Sequence, residues 1–171
     1  DYVLGRIRAG VLESGTVQQL RGLGLAGRID AEGLIHDGLE IAFDGMRRRI
    51  DLGARTDGRK VTVYGQTEVT RDLMSARNGS NAKTIYEADA VVPVEFDGKH
   101  PKIRFKKDGQ NYEIKCDFII GADGYHGVCR ASVPSEAIQE FERVFPFAWL
   151  GVLADVPPVS NELIYVNHPR G

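Results

Sequence analysis

Several residues in this sequence have the types and spacing to do chemistry. Asp123 sits between Gly121 and Gly124, with His126 and Arg130 just beyond, in the run CDFIIGADGYHGVCR from Cys116 to Arg130. Glycines so placed let a backbone approach a ligand that a Cβ would hold off. Such a turn also aims free N–H groups at the opening of a helix, where an anion is stabilised. Asp123 can accept hydrogen bonds from a hydroxyl, and His126 and Arg130 stand about one helical turn apart on one face. The set suits a ribose beside a phosphate; the plainer reading is a tight turn after a strand. Arg6 and Arg8 flank Ile7 ahead of the small pair Ala9-Gly10 and Val11. Two guanidiniums there suit a diphosphate or a carboxylate, or are solvated in a loop. Gln66 carries an amide that both donates and accepts, as a polar ligand edge requires, or simply starts a helix. His36, alone before a strand, has a surface or turn position as its default. Tyr165 reads as a strand tyrosine whose hydroxyl takes a hydrogen bond.

The elements that must position these residues follow from periodicity and turn chemistry. Cys116, Phe118, Ile119 and Ile120 form an apolar run of strand length, expected to be a buried strand leading into the glycine turn and a short helix. Thr16 to Leu25 reads as an amphipathic helix, weakened by Gly22 and Gly24. Leu34 to Leu52 reads as a hairpin: Leu39, Ile41 and Phe43 alternate, Asp44-Gly45 is a strong turn signal, and Arg47, Arg48 and Arg49 form a solvated return-strand end. Val61 to Tyr64 reads as a strand, Gly65 breaks it, and a helix follows with Val69, Leu73 and Ala76 on one face. From Thr84 to Ile120, short alternating runs separated by Asp97-Gly98 and Asp108-Gly109 indicate an antiparallel meander. Ser135 to Arg143 reads as a short helix. Phe145 to Gly151 reads as an apolar core strand, and Glu162 to Asn167 as a further strand.

The 116–130 stretch resembles the second cofactor fingerprint of the flavoprotein aromatic hydroxylases, an Asp-Gly motif that serves both FAD and NAD(P)H. The resemblance runs over essentially the whole chain. RIRAGVLE, from Arg6 to Glu13, is similar to the family segment that contacts the flavin. The resemblance therefore implies Arg6, Ile7, Arg8, Ala9, Gly10 and Val11 as FAD contacts. Arg8 would lie against the pyrophosphate, with Arg8 and Val11 also towards the aromatic substrate. Gln66 and Asp123 match cofactor-binding positions. Tyr2, Arg6, Arg8, His126 and Arg130 match positions on the nicotinamide-nucleotide side, and Tyr125 stands where a phenylalanine is usual. Tyr165, in the segment LIYVNHPRG, matches the tyrosine that hydrogen-bonds the substrate's phenolic oxygen. His36 matches a histidine that ends a proton path from that phenol to solvent, a task suited to an imidazole. Tyr165 and His36 are thus the implied catalytic residues.

What the resemblance implies for the whole is an α/β fold. A partial cofactor domain of the FAD-linked reductase type, with a parallel sheet, is interleaved with a mixed β-sheet substrate domain. Residues 1–35 and 60–135 would form the FAD/NAD(P)H-binding domain, with the meander attached to it. Residues 36–59 and 136–171 would form the substrate-binding sheet. The implied activity is NADPH-driven, FAD-dependent hydroxylation of a small aromatic acid, 4-hydroxybenzoate, ortho to its phenol, using O₂ through a C4a-hydroperoxyflavin. A homodimer is implied for the complete protein. The alternatives are a related FAD-dependent oxidoreductase acting on another phenolic substrate, or a non-catalytic β-rich interaction domain.

Composition sets the outer bounds. A chain of 171 residues with 42% hydrophobic and 27% charged residues is ordinary for a globular domain. A net charge of −2 offers no basic field for nucleic acid or an anionic membrane. No apolar run approaches the roughly 20 residues of a membrane span. Two cysteines, Cys116 and Cys129, make no disulfide framework, so a reducing, cytoplasmic setting is expected. No metal site is expected. The chain opens at Asp1 and stops at Gly171 in what reads as mid-segment, as a piece of a longer protein would. The glycine-rich dinucleotide motif of this family is expected before Asp1, and the ribityl-binding Gly-Asp motif and the carboxylate-gripping serine and arginine after Gly171. This piece alone is therefore expected to bind FAD weakly or not at all.

Overall fold

The computed structural model describes residues 9–152 and 154–170. Tyr2, Arg6, Ile7 and Arg8 lie outside the described residues. The chain divides into two compact units, Asp1–Ala82 with Trp149–Gly171, and Lys83–Ala148.

The first unit is built on two small sheets. In one, β1 (Val11–Leu12), β5 (Val61–Val63) and β2 (Leu34–His36) lie in the order β1-β5-β2, with both pairings antiparallel. Helix α1 (Ser14–Gly22) buries Val17 and Leu20, three residues apart on one face, and ends where Gly24 takes a positive φ of 72°. Helix α2 (Gly27–Glu32) adds Ile29. With Ala26 and Tyr64 these residues form the buried core, against which Leu12, Leu25 and Val69 pack. Helix α4 (Gln66–Asn78) leaves β5 through Gly65. Arg28 of α2 fastens it, donating to Asp72 (2.7 Å) and Glu68 (2.7 Å) as well as to Glu32 (2.9 Å) of its own helix, and the Tyr64 hydroxyl donates to Asp72 (2.8 Å). Burial first, then Asp72, pushes the Tyr64 phenol up to about 12.

In the other sheet of this unit, β3 (Gly38–Phe43) and β4 (Met46–Asp51) form the expected hairpin. Asp44 and Gly45 both take positive φ, 47° and 73°, as a two-residue turn matched to strand twist requires. The third strand, β9 (Leu163–Val166), joins β3 in parallel, with Ile41 opposite Tyr165. The Asn167 N–H donates to the Ala42 carbonyl (2.9 Å) and closes the far end of the pairing. After β4, the short helix α3 (Leu52–Arg55) is capped by Asp51, whose Oδ1 accepts from the Ala54 N–H at 2.8 Å.

The second unit holds the expected meander, β6 (Asp89–Val94), β7 (Lys102–Lys107) and β8 (Gln110–Lys115), antiparallel throughout. Phe105, buried in this sheet together with Pro93, stacks on Tyr112 directly across the strands, with ring centroids 5.4 Å apart. Asp108 and Gly109 make its tight turn, with φ of 50° and 76°. A short helix α5 (Val128–Ser132) and a single 3-10 turn, Ser135–Ala137, follow.

Mixed α/β architecture is as expected, but several local expectations are corrected. Among the described residues the one parallel pairing is β3 with β9; the sheet that carries β5 into α4 is antiparallel. Cys116 to Ile120 is not a buried strand. The ladder ends when the Cys116 N–H donates to the Pro101 carbonyl (3.0 Å), and with no further strand to pair with among the described residues, Phe118 and Ile120 are 86% and 87% exposed. The Ser135 to Arg143 helix shortens to its first turn because Ile138 is extended, at φ −131° and ψ 147°. One isolated turn does not offset the cost of nucleation. Phe145 to Gly151 is neither strand nor core: although Phe147 meets the Phe145 ring at 5.4 Å, Phe147, Trp149 and Leu150 are exposed. The arginine run is not merely solvated. Arg47 pairs with Glu40, and Arg49 with Glu162 from β9. His36 is not at the surface: it is 7% exposed, at the end of β2 opposite Val61. No helix among the described residues is long and apolar enough to cross a membrane.

Candidate functional site

The sequence candidates of the first unit gather where β1 begins and α4 opens. The Tyr64 N–H donates to the Gly10 carbonyl (2.7 Å) and the Gln66 N–H to the Ala9 carbonyl (3.1 Å), so Ala9, Gly10 and Val11 lie along the strand that feeds α4. The two glycine backbones touch here: a Cβ on Gly10 would stand 3.4 Å from the Gly65 Cα. Helix α4 has Gly65 as its N-cap and no side-chain cap, and the Gln66 side chain is exposed beside it. This donor set fits a flavin nucleotide. A 13-residue helix with an uncapped N-terminus favours an anion, and Gln66 offers an amide edge. Small residues at Ala9 and Gly10 leave room for a planar ligand. Val11 presents an apolar, half-exposed side chain next to them.

The catalytic candidates of the same unit sit on different strands. His36 ends β2, and Asp37 alone separates it from β3. Its Nδ1 is buried without a hydrogen-bond partner among the described residues. Tyr165 is exposed on β9, and its hydroxyl is bonded to no described residue. Sequence reasoning missed two residues beside them. Glu162, immediately before β9, accepts from Arg49 Nε (2.6 Å) and Nη2 (2.7 Å). Arg49 is the largest influence holding the Glu162 carboxyl below its usual range, with smaller help from the Gly38 N–H and His36. No local pattern could have shown this pair, which is separated by 113 residues.

In the second unit the glycine turn is held by Asp123. Its Oδ2 accepts from the Cys129 N–H (3.0 Å), capping α5. That bond is the main reason its carboxyl titrates below the usual range, and the same carboxylate pushes the Cys129 thiol up. Gly127 must be glycine because a Cβ there would overlap the Asp123 carboxylate. The anion at the start of α5 is therefore Asp123 itself, a correction to the picture of free N–H groups awaiting a phosphate. Arg130 lies 4.6 Å over the Tyr125 ring, donates to the Tyr125 carbonyl (3.3 Å) and pairs with Glu140 (3.4 Å). The His126 ring meets the Tyr125 ring edge-on at 5.0 Å, and the Tyr125 hydroxyl donates to Glu142 at 2.7 Å. His126 and Arg130 are thus brought together around Tyr125 and line an open groove with Val133 and Ile138. A guanidinium beside an aromatic face suits a nucleotide's phosphates and base.

An uncapped helix beside small residues in one unit, and a glycine turn built on an aspartate in the other, are features of an α/β protein that suit a nucleotide. The chain belongs to the FAD binding domain family, which matches it over residues 1–171. It is 54% identical over 171 residues to the p-hydroxybenzoate hydroxylase of Acinetobacter baylyi (strain ATCC 33305 / BD413 / ADP1). That match covers 100% of this chain and 42% of the relative, so the chain spans less than half of its length. The fold is shared with the crystal structure of CmlS, a flavin-dependent halogenase, at a TM-score of 0.59 and 20% identity over 76% of this chain and 27% of that one.

Proposed function

We propose that this chain is the central part of an FAD-dependent, NADPH-using aromatic monooxygenase that converts 4-hydroxybenzoate to 3,4-dihydroxybenzoate. The observation that carries this reading is the 54% identity to a p-hydroxybenzoate hydroxylase along the entire chain. FAD, when bound, supplies reducing equivalents from NADPH and the activation of O₂.

The chain's own residues bind, orient and move protons. Arg6 to Val11 and Gln66 hold the flavin, Arg8 neutralising its pyrophosphate, with α4 opening towards it. Asp123 keeps the glycine turn in shape, and Tyr2, Arg6, Arg8, His126 and Arg130 receive the nicotinamide nucleotide. Val11 and Arg8 border the aromatic ring. The hydroxyl of Tyr165, which no described residue occupies, takes the substrate's phenolic oxygen. Oxygen transfer to an aromatic ring is electrophilic, so moving the phenol towards phenolate makes the carbon ortho to it more reactive. The proton released passes from Tyr165 towards His36, whose unpartnered Nδ1 can accept it. Residues 1–35 with 60–135 serve the cofactors, and residues 36–59 with 136–171 the substrate. The complete enzyme is a cytoplasmic homodimer.

The test is Tyr165→Phe in the full-length enzyme. Hydroxylation falls roughly 100-fold, within the range for loss of a proton-transfer group, while flavin content is unchanged. Equal loss of flavin binding and hydroxylation would overturn the role given to this tyrosine.

A further inference from the structure

Arg49 lies on β4 and Glu162 immediately precedes β9, and these two strands do not pair. In the order β4-β3-β9, β3 lies between them, and the guanidinium must cross it to reach the carboxylate. It crosses at Gly38, which is buried. A Cβ on Gly38 would stand 2.7 Å from Arg49 Nη2, 2.8 Å from its Cζ and 2.6 Å from the Ile50 carbonyl oxygen. Gly38 is not among the residues with positive φ, so what its glycine supplies is space. On the far side Arg49 meets Glu162 as a two-pronged fork, at 2.6 and 2.7 Å. The Glu162 side chain is only 18% exposed.

This crossing matters because little else specifies where β9 lies along β3. Its four residues, Leu163, Ile164, Tyr165 and Val166, are apolar or aromatic on both faces. A slip of one residue would turn Tyr165 to the opposite face, but a slip of two would return the same faces with the same kind of residues. Tyr165 would then move about 6.6 Å along the sheet, at roughly 3.3 Å per residue. The observed register, Leu39 opposite Leu163 and Ile41 opposite Tyr165, brings Glu162 level with Gly38. A fork that requires both a glycine to pass and a carboxylate at its end selects that register.

We propose that Gly38, Arg49 and Glu162 form a positioning bridge that sets the register of β9 and holds the Tyr165 hydroxyl where it polarises the substrate phenol. The proposal rests on the hydroxylase reading of Tyr165. Its test uses the full-length, FAD-loaded enzyme with 4-hydroxybenzoate bound, following ionisation of the bound phenol by its ultraviolet absorbance across pH, with turnover and flavin content in parallel. In Glu162→Gln the bound phenol titrates at higher pH and hydroxylation falls roughly tenfold, short of the hundredfold that a 1 Å misplacement can cost, while flavin content holds. Arg49→Lys moves both readouts in the same direction, because one ammonium does not reproduce the fork. A lowered melting temperature with unmoved phenol titration and turnover, in either folded variant, overturns the bridge. If Tyr165→Phe is impaired while Glu162→Gln matches wild type, the bridge alone falls. If Tyr165→Phe itself matches wild type, the tyrosine's role falls and the bridge with it.

Discussion

The stretch from Ala9 to Val11 and the turn from Asp123 to Arg130 are held in place by opposite means. The first is fixed by long-range pairing: two backbone hydrogen bonds tie it to β5 and the start of α4, over a core of Val17, Leu20, Ala26, Ile29 and Tyr64. The second is fixed locally. Asp123 caps a helix six residues on, and Arg130 and His126 cluster on Tyr125, while Phe118 and Ile120 just before the turn are exposed.

The largest expected effect exploits this contrast directly. Ile29 is 3% exposed and Ile120 is 87% exposed. Ile29→Ala costs about 3 kcal/mol by urea denaturation of this chain, and Ile120→Ala less than about 0.5 kcal/mol. Similar costs would erase the distinction between the two regions. A smaller effect sharpens it from the other side. In Gly127→Ala the new Cβ displaces the Asp123 carboxylate and removes the α5 cap, costing about 1 kcal/mol in the same assay while the first unit's melting is unmoved. An unaffected midpoint would mean that Asp123 does not hold the turn.

The smallest effect is a pH dependence. The Asp123 carboxyl is lowered from 3.8, chiefly by the Cys129 N–H, so the folded chain binds this proton less readily than the unfolded one. The stability it contributes is complete above the unfolded value and is lost as pH falls through the lower folded value. Asp30, Asp51, Glu113 and Glu162 are lowered too and act with the same sign. The urea midpoint therefore drops on acidification from about pH 5 to about pH 3, and drops less steeply in Asp123→Asn. Parallel profiles would show the carboxylate to be unlinked to folding.

What the sequence discloses follows the same division. Elements whose signals are local were legible: the Asp44-Gly45 and Asp108-Gly109 turns, the β3–β4 hairpin, the meander, and the strand–glycine–helix passage at Gly65. Elements that need a partner were not. The apolar run before Gly121 has strand composition but no neighbouring strand among the described residues, and Phe145 to Leu150 has core composition yet stays exposed, Phe145 and Phe147 meeting mainly each other. His36 looked like a turn residue because its burial comes from chain distant in sequence. The Arg49–Glu162 fork joins residues no window could relate, and only the space at Gly38 explains it. Asp123, His126 and Arg130 stood out from the glycine turn itself, whereas Arg6, Arg8 and Gln66 had plain loop or helix-start readings and were chosen through resemblance to a family.

The most direct test of the central claim is to turn over 4-hydroxybenzoate with the full-length enzyme, FAD and NADPH under oxygen-18 gas and weigh the product. The account predicts that 3,4-dihydroxybenzoate carries one labelled oxygen, in the new hydroxyl, per NADPH consumed. Oxidised flavin chemistry without label in the product, or label entering only from water, would contradict it.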